Sequence, residues 1–480
     1  MKDKMNALEN KNWILATLLI PLAMSLIAVS SVNVALASIG KGLQTTDAQL
    51  QWVLSGYTLV VGVTLVPAGR LGDMYSRRTM FIFGLIAFVT GSFLSGLAPS
   101  ALSLNAARVI QGVGAGMYSP QIMGMIQQFF QGRERAKAFG LLGMVVSFSV
   151  ALGPVLAGAI ISLAGFESGW RYIFFINLPL GIIGVIFGLK FLPAENTIPQ
   201  ERRQDLPIWL RLDFVGAALL LGAIVSLLIP FTFRTWHWWL PMLLVLAGAL
   251  LIAWVKWESA CQERGHAPMV DLSLLKIQSF SVGMATAAIY FMGATSMFVV
   301  MAMFVQNELG YSPLVAGVLG LPNAVLSAVG SRWGSLNVLN KGRKIVVLSL
   351  CVIVFGALLS LLVFAGIIYF KLSVWWLLLT LGIIGFGQGV FGSTNQTLAM
   401  DEVPAATGGT AGGLKQTTER IGTSIGSALM TGLYFTVSAV WAAGPAIMLV
   451  FAMAAVVVSL AALVAVFDMR RAALFPEGGE

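Results

Sequence analysis

Four ionisable residues stand where an apolar chain should carry no charge: Arg108, Lys415, Glu419 and Arg420, each inside a long hydrophobic run. A charge at the centre of a membrane-spanning helix costs at least ~2.5 kcal/mol and marks an ion, proton or substrate pathway by default. Arg108 lies only about 10 Å along its helix from the outer end, so its side chain also has the option of snorkelling to the surface. Glu419 lies about 18 Å along its helix from Thr407, near mid-membrane. It is the one acidic residue that this reading places well inside a span. Two readings of it stay open. Glu419 is either a protonatable coupling site whose occupancy switches with access, or a fixed partner of Lys415, one turn away, or of Arg420.

The remaining polar side chains on apolar runs are candidates for the wall of a cavity: Ser30, Asn33, Tyr57, Gln111, Gln121, Tyr290, Gln388 and Asn395. Each also fits a hydrogen bond between helices. The 21 Met and 29 Phe suit an adaptable apolar cavity, although lipid-facing positions absorb such residues equally well. Nothing suggests an enzyme. His237 and His266 stand alone, and Cys261 and Cys351 form no metal, redox or disulfide pattern. No cofactor and no metal are expected.

The elements that must hold these residues follow from composition. The chain has 480 residues, is 58% hydrophobic and only 10% charged, with a mean hydropathy of +0.88. A soluble chain needs about a quarter of its residues charged, so most of this surface must face hydrocarbon. Spans of roughly 20 apolar residues are placed near 13–38, 50–69, 79–98, 101–129, 136–164, 171–192, 213–233, 237–257, 279–305, 313–337, 344–368, 373–399, 408–436 and 442–467. The first run is too long for a signal peptide and lacks a small-residue cleavage site. With the N-terminus inside, nearly all Lys and Arg fall on the cytoplasmic side. The exceptions are Lys41, Arg171, Arg234 and Lys371 outside, and Arg108, Lys415 and Arg420 within spans. A frame shifted by one helix reverses that bias. The net charge of +9 therefore needs no nucleic acid.

The expected class is an all-α membrane protein with fourteen transmembrane helices and both termini cytoplasmic. A tail of residues 1–12 precedes a six-helix bundle, 13–192. Linkers and a two-helix hairpin occupy 193–278, a second six-helix bundle 279–467, and a tail 468–480.

Short motifs then point to a family. Gly69-Arg70-Leu71-Gly72-Asp73-Met74-Tyr75-Ser76-Arg77-Arg78 follows the second span. It resembles the loop signature G-x-L-x-D-x-x-G-R-R of the major facilitator superfamily, with Ser76 where that family usually has glycine. The glycines allow close helix approach, and Asp73 can bind Arg77 or Arg78. Arg108-Val109-Ile110-Gln111-Gly112-Val113-Gly114-Ala115-Gly116 resembles the fourth-helix motif R-x-x-Q-G-x-G, whose glycines let another helix pack closely. Gly153-Pro154-Val155-Leu156-Ala157-Gly158 resembles the antiporter motif G-P-x-x-G-G, a proline kink among small residues. The segment Trp170 to Pro179 looks like W-R-W-I-F-x-I-N-x-P of the fourteen-helix drug:proton antiporter branch. Gln306, Gly310-Tyr311-Ser312-Pro313 and Gly317 match the same branch.

The resemblance implies a facilitator fold with a central cavity between two bundles, a gating loop at Gly69, Gly72, Asp73, Arg77 and Arg78, and export by alternating access. It also implies an acid in the first helix, within L-D-x-T-I-V-N-V-A-L-P. Here the matching residues run Ile27-Ala28-Val29-Ser30-Ser31-Val32-Asn33, and the acid position is Ala28. The expected function is secondary export of drug-like or amphipathic molecules, coupled to protons through Glu419 with Arg108, Lys415 and Arg420. The alternatives are export of a lipid, neutral metabolite or amino acid with atypical or no proton coupling, and, more remotely, a receptor that transports nothing. The expected partners are a small-molecule substrate, protons and the lipid bilayer. The expected setting is a monomer in a bacterial plasma membrane.

Overall fold

Apolar runs of this length satisfy their own backbone only as helices when water is excluded, and helices are what the chain forms. The structure, a computed structural model, describes residues 2–193, 213–232, 238–264 and 268–474. Among them lie α1 (Lys2–Leu43), α2 (Asp47–Met74), α3 (Arg77–Leu97), α4 (Ala101–Phe129) and α5 (Gly132–Ala164). Next come α6, broken at Ile176 into Trp170–Phe175 and Asn177–Phe191, then α7 (Phe214–Thr232) and α8 (Leu240–Glu263). The rest are α9 (Gln278–Asn307), α10 (Pro313–Lys341), α11 (Lys344–Phe370), α12 (Leu377–Ala399), α13 (Gly408–Val440) and α14 (Ala443–Leu474). No strand occurs among the described residues. His237, His266, Arg202, Arg203, Arg211 and Arg234 lie outside them.

Twelve of these helices are long and apolar enough to cross a membrane. The other two, α4 and α10, fall short because they carry polar side chains. On α4 these include Arg108, Gln111, Gln121 and Gln127, all buried. In lipid such groups can only turn inward.

Several boundaries move outward from the hydropathy reading. The second span was expected to stop at 69, yet α2 runs on to Met74, so Gly69, Gly72 and Asp73 sit on its last turns rather than in a loop. The connection shrinks to Tyr75 and Ser76, and the Ser76 hydroxyl caps α3 by accepting from Thr79 N at 3.2 Å. Likewise α8 continues past 257 to Glu263, carrying Glu258 into the helix.

The described residues fall into two compact units. The first comprises Met1–Phe130, Leu152–Lys276 and Val403–Thr417; the second comprises Gln131–Ala151, Ile277–Glu402 and Thr418–Glu480. In the first, α3 packs on α4 backbone to backbone: a Cβ on Gly114 would lie 2.3 Å from Phe88 N. Gly116 does the same toward α2, where its Cβ would lie 2.5 Å from Thr64 Cβ. The hairpin α7–α8 belongs to this unit, with α7 against α2. The second unit is cored by large apolar side chains, among them Phe304, Phe364 and Phe451, with ring centroids 5.7 Å and 4.9 Å apart in sequence.

Candidate functional site

The carboxylate of Asp73 is buried at the end of α2 and fully engaged. Its Oδ1 accepts from Arg77 Nε at 2.9 Å, from Arg77 Nη2 at 2.5 Å and from Gly409 N at 3.0 Å. Its Oδ2 accepts from Thr410 N at 2.7 Å and from the Thr410 hydroxyl at 2.8 Å. Gly409 and Thr410 open α13, so the acid sits on a helix N-terminus, where free N–H groups and the helix dipole favour an anion. Arg77 spends its other donors on Gly124 O at 2.9 Å, Gln128 Oε1 at 3.0 Å and Ala405 O. The result is a latch that fastens the start of α13 onto α2, α3 and α4.

Backbone approach makes the latch possible. A Cβ on Gly69 would lie 2.4 Å from Gly409 O, and one on Gly72 would lie 1.9 Å from Gln121 Oε1. Further along the same segment, Gln127 Nε2 donates to Val403 O at 2.7 Å and Ser119 donates to Gln416 Oε1 at 2.6 Å. Arg78, expected to share the gating role, points elsewhere and donates to Leu189 O at the end of α6 at 2.6 Å. Gln121 also proves to be part of this packing: it donates to Ala68 O at 2.7 Å.

Arg108 forms a second buried charge site. It is 1% exposed, stacks on the Tyr57 ring at 4.0 Å and donates to Val53 O at 3.1 Å and Gln111 Oε1 at 2.7 Å. It does not snorkel. Arg108 Nη2 and Gln111 Nε2 are buried without hydrogen-bond partners. Tyr57, Arg108 and Gln111 thus form one cluster on α2 and α4.

Beside Pro154 in α5, a Cβ on Gly153 would lie 1.9 Å from Ser30 Oγ, and Ser31 donates to Gly153 O at 2.9 Å, so α1 packs closely at this point. Ala157 is buried, but Gly158 is exposed with nothing within 4 Å of its Cβ position. The expected close packing therefore holds at the first half of the motif and not at Gly158. The aromatic segment of α6 is structural. Trp170 is buried, Arg171 donates to Gly96 O at 3.0 Å and Ala98 O at 2.7 Å, and Asn177 donates to Ser92 Oγ at 2.9 Å.

Elsewhere the candidates scatter. Asn395 donates to Gly283 O at 3.0 Å, Gln388 accepts from Asn323 Nδ2 at 3.2 Å, and the Tyr290 ring packs tilted against Phe391 with centroids 4.2 Å apart. Ser30 bonds back to Leu26 O at 2.8 Å, and Asn33 is exposed. On α13, Lys415 is buried and Glu419 is half-buried, within electrostatic reach of Tyr290. Arg420 is half-buried on the same helix.

Two buried polar groups are not anticipated from the sequence. One is the pair of latch donors at Gly409 and Thr410, hinted at by the small-residue run Gly408-Gly409-Thr410-Ala411-Gly412-Gly413. The other is Glu258, expected in a loop and instead fully buried in α8.

These features agree with what the chain resembles as a whole. A family model described as Major Facilitator Superfamily matches residues 18–427. The chain is 32% identical over 419 residues to a probable actinorhodin transporter of Streptomyces coelicolor, covering 86% of this chain and 70% of that protein. It is 31% identical over 401 residues to the multidrug resistance protein Stp of Mycobacterium tuberculosis, covering 83% and 71%. The crystal structure of the human organic anion transporter MFSD10 (TETRAN) aligns with a TM-score of 0.67 at 15% identity, over 93% of this chain and 99% of that one, a likeness of fold alone. The chain belongs to the Major Facilitator Superfamily and is a multi-pass membrane transporter of it.

Proposed function

We propose that the protein exports drug-like, amphipathic organic molecules across a bacterial plasma membrane by alternating access. Both termini would be cytoplasmic and the working unit a monomer. The observation that carries this reading is the Asp73–Arg77 latch on the start of α13: a buried, fully matched charge cluster at a helix N-terminus is a fastening that can be made and broken as a unit. The close approach of α1 at Gly153-Pro154 and the relatives named for actinorhodin transport and multidrug resistance support the same reading.

Glu419 is the proposed proton carrier, since Ala28 occupies the position where the branch usually places its acid. Glu419→Gln is expected to abolish gradient-driven transport in proteoliposomes while leaving downhill exchange intact. Gradient-driven transport that survives the substitution would remove Glu419 from the mechanism. Ala28 also favours a second reading, export of a neutral metabolite with no proton step. Uptake into inverted vesicles, with and without a pH gradient and across dyes, antibiotics, lipids and amino acids, separates the two. Gradient-dependent movement of amphipathic compounds supports the first reading; gradient-independent movement of neutral ones supports the second.

A further inference from the structure

The second unit carries a charge pair of its own. Arg343 stands directly before α11, and its Nη1 pairs with Asp468 Oδ1 near the end of α14. Gln278, the first residue of α9, donates through Nε2 to the same oxygen at 3.1 Å. No hydrogen bond among the described residues reaches Asp468 Oδ2. The pair lies on the wall of a cavity between α9, α11, α12 and α14, whose other polar walls are Ser279, Thr286 and Asn395.

These walls are not all matched. Thr286 is, because its hydroxyl donates to Val282 O at 2.7 Å. Ser279 is 6% exposed and its hydroxyl has no hydrogen-bond partner, a state that buried polar groups rarely keep. Asn395 spends Nδ2 on Gly283 O at 3.0 Å, where α9 and α12 approach so closely that a Cβ on Gly283 would lie 2.6 Å from Ala399 Cβ. Its Oδ1 accepts no hydrogen bond among the described residues. Three acceptor oxygens on one cavity wall are therefore unclaimed, and one of them belongs to a carboxylate. The cavity is narrow, with room for a group the size of a water molecule, so no drug-sized compound enters it. It also sits at helix ends: α9 begins at Gln278, α11 begins at Lys344 and α12 ends at Ala399. At the ends of spanning helices the surrounding polar groups are lipid headgroups.

We propose that this cavity binds the primary ammonium of a phosphate–ammonium zwitterion, the headgroup chemistry of phosphatidylethanolamine, with Asp468, Ser279 and Asn395 accepting from the ammonium and Arg343 facing the phosphate. A primary ammonium brings three N–H donors and no acceptor, which suits three unclaimed oxygens. Arg343 is the more exposed member of the pair, its side chain 22% exposed against 12% for Asp468, so it meets the phosphate from the outer side. A guanidinium holds a phosphate through paired, charge-assisted hydrogen bonds. A trimethylammonium headgroup offers no N–H and is too broad for the cavity. A headgroup with a phosphate and no ammonium brings no cation to Asp468. The bound zwitterion would tie the ends of α9, α11, α12 and α14 together.

Native mass spectrometry of the full chain tests it, with the protein released from micelles that hold equal amounts of phosphatidylethanolamine, its N-methylated series up to phosphatidylcholine, and phosphatidylglycerol. The wild type is expected to retain phosphatidylethanolamine about tenfold over phosphatidylcholine and phosphatidylglycerol, the size of one charged hydrogen bond. The preference should fall with each N-methyl group. Asp468→Asn keeps an acceptor for Arg343 and Gln278, and it is expected to abolish the preference. Ser279→Ala is expected to reduce it about threefold. Water-soluble O-phosphoethanolamine, added as a competitor, separates the sources of the zwitterion. If it displaces the lipid, the site takes the free zwitterion as well; if it does not, the site takes the lipid, and either result upholds the chemistry. Equal retention of the lipids, or a preference that survives Asp468→Asn, overturns the proposal. Should Asp468→Asn not fold, Ser279→Ala decides, and an unchanged preference there overturns it. The measurement reads binding alone, so its outcome does not depend on the transported substrate or on the gate at Asp73.

Discussion

Asp73 and Arg108 are both buried charges on the α2–α4 framework, yet their neighbours treat them differently. Both oxygens of Asp73 are taken up by a guanidinium, two backbone amides and a hydroxyl. Arg108 uses two of its nitrogens, while its Nη2 and the adjacent Gln111 Nε2 have no acceptor. A buried polar group left unmatched costs about 1–3 kcal/mol. The matched site is therefore a fastening, and the unmatched one leaves two donors without acceptors. If so, the two sites should respond differently to substitution.

The largest effect is expected at the fastening. Asp73→Ala strands the Arg77 guanidinium, whose side chain is 2% exposed. Breaking a buried pair from one side costs about 3–5 kcal/mol. Thermal unfolding in detergent should show a lower midpoint, and transport should fall more than tenfold. Arg108→Gln should also cost more than tenfold in transport, but with a smaller loss of stability, because the site is already incompletely paired. Equal destabilisation at the two positions would break the comparison.

A third change sharpens it. Gly72→Ala places a methyl against Gln121 Oε1, and overpacking of this kind costs about 1–3 kcal/mol. Shortening the neighbour with Gln121→Ala should recover part of that loss, measured by the same melting curves. Ser76→Gly should be the mildest. It restores the residue usual in the family at the cost of a helix cap, a few tenths of a kcal/mol by about the usual cap difference. A loss of transport beyond twofold there would give Ser76 a role the cap does not explain.

Much of the fold is legible in the sequence because lipid imposes one rule: long apolar runs become helices, and basic residues gather at one side of them. Even α4 and α10, which are not among the twelve most apolar helices, fall where the sequence reading places the spans 101–129 and 313–337. What stays hidden are helix ends. Hydropathy stops where charge begins, but helical hydrogen bonding does not. For that reason α2 carries Gly69 to Asp73 on its last turns and α8 carries Glu258 inward. The latch is half legible. Asp73 and Arg77 stand out as a motif, whereas their distant partners are the Gly409 and Thr410 amides and the Thr410 hydroxyl, 336 and 337 residues from Asp73, and only a small-residue run hints at them. Among the cavity candidates, Gln121 and Asn395 reach backbone carbonyls on neighbouring helices. A glutamine on a helix reads the same whether it faces a substrate or a carbonyl. Gly158 shows the reverse error, a motif position left open to the outside.

Gating at Asp73 is tested most directly by efflux from proteoliposomes under an imposed pH gradient, comparing the wild-type chain with Asp73→Asn at matched folded protein. The expected result is gradient-dependent movement of an amphipathic compound by the wild type and at least a tenfold slower rate for the variant. Equal rates in the two proteins, or no movement of any compound by folded wild type, would contradict it.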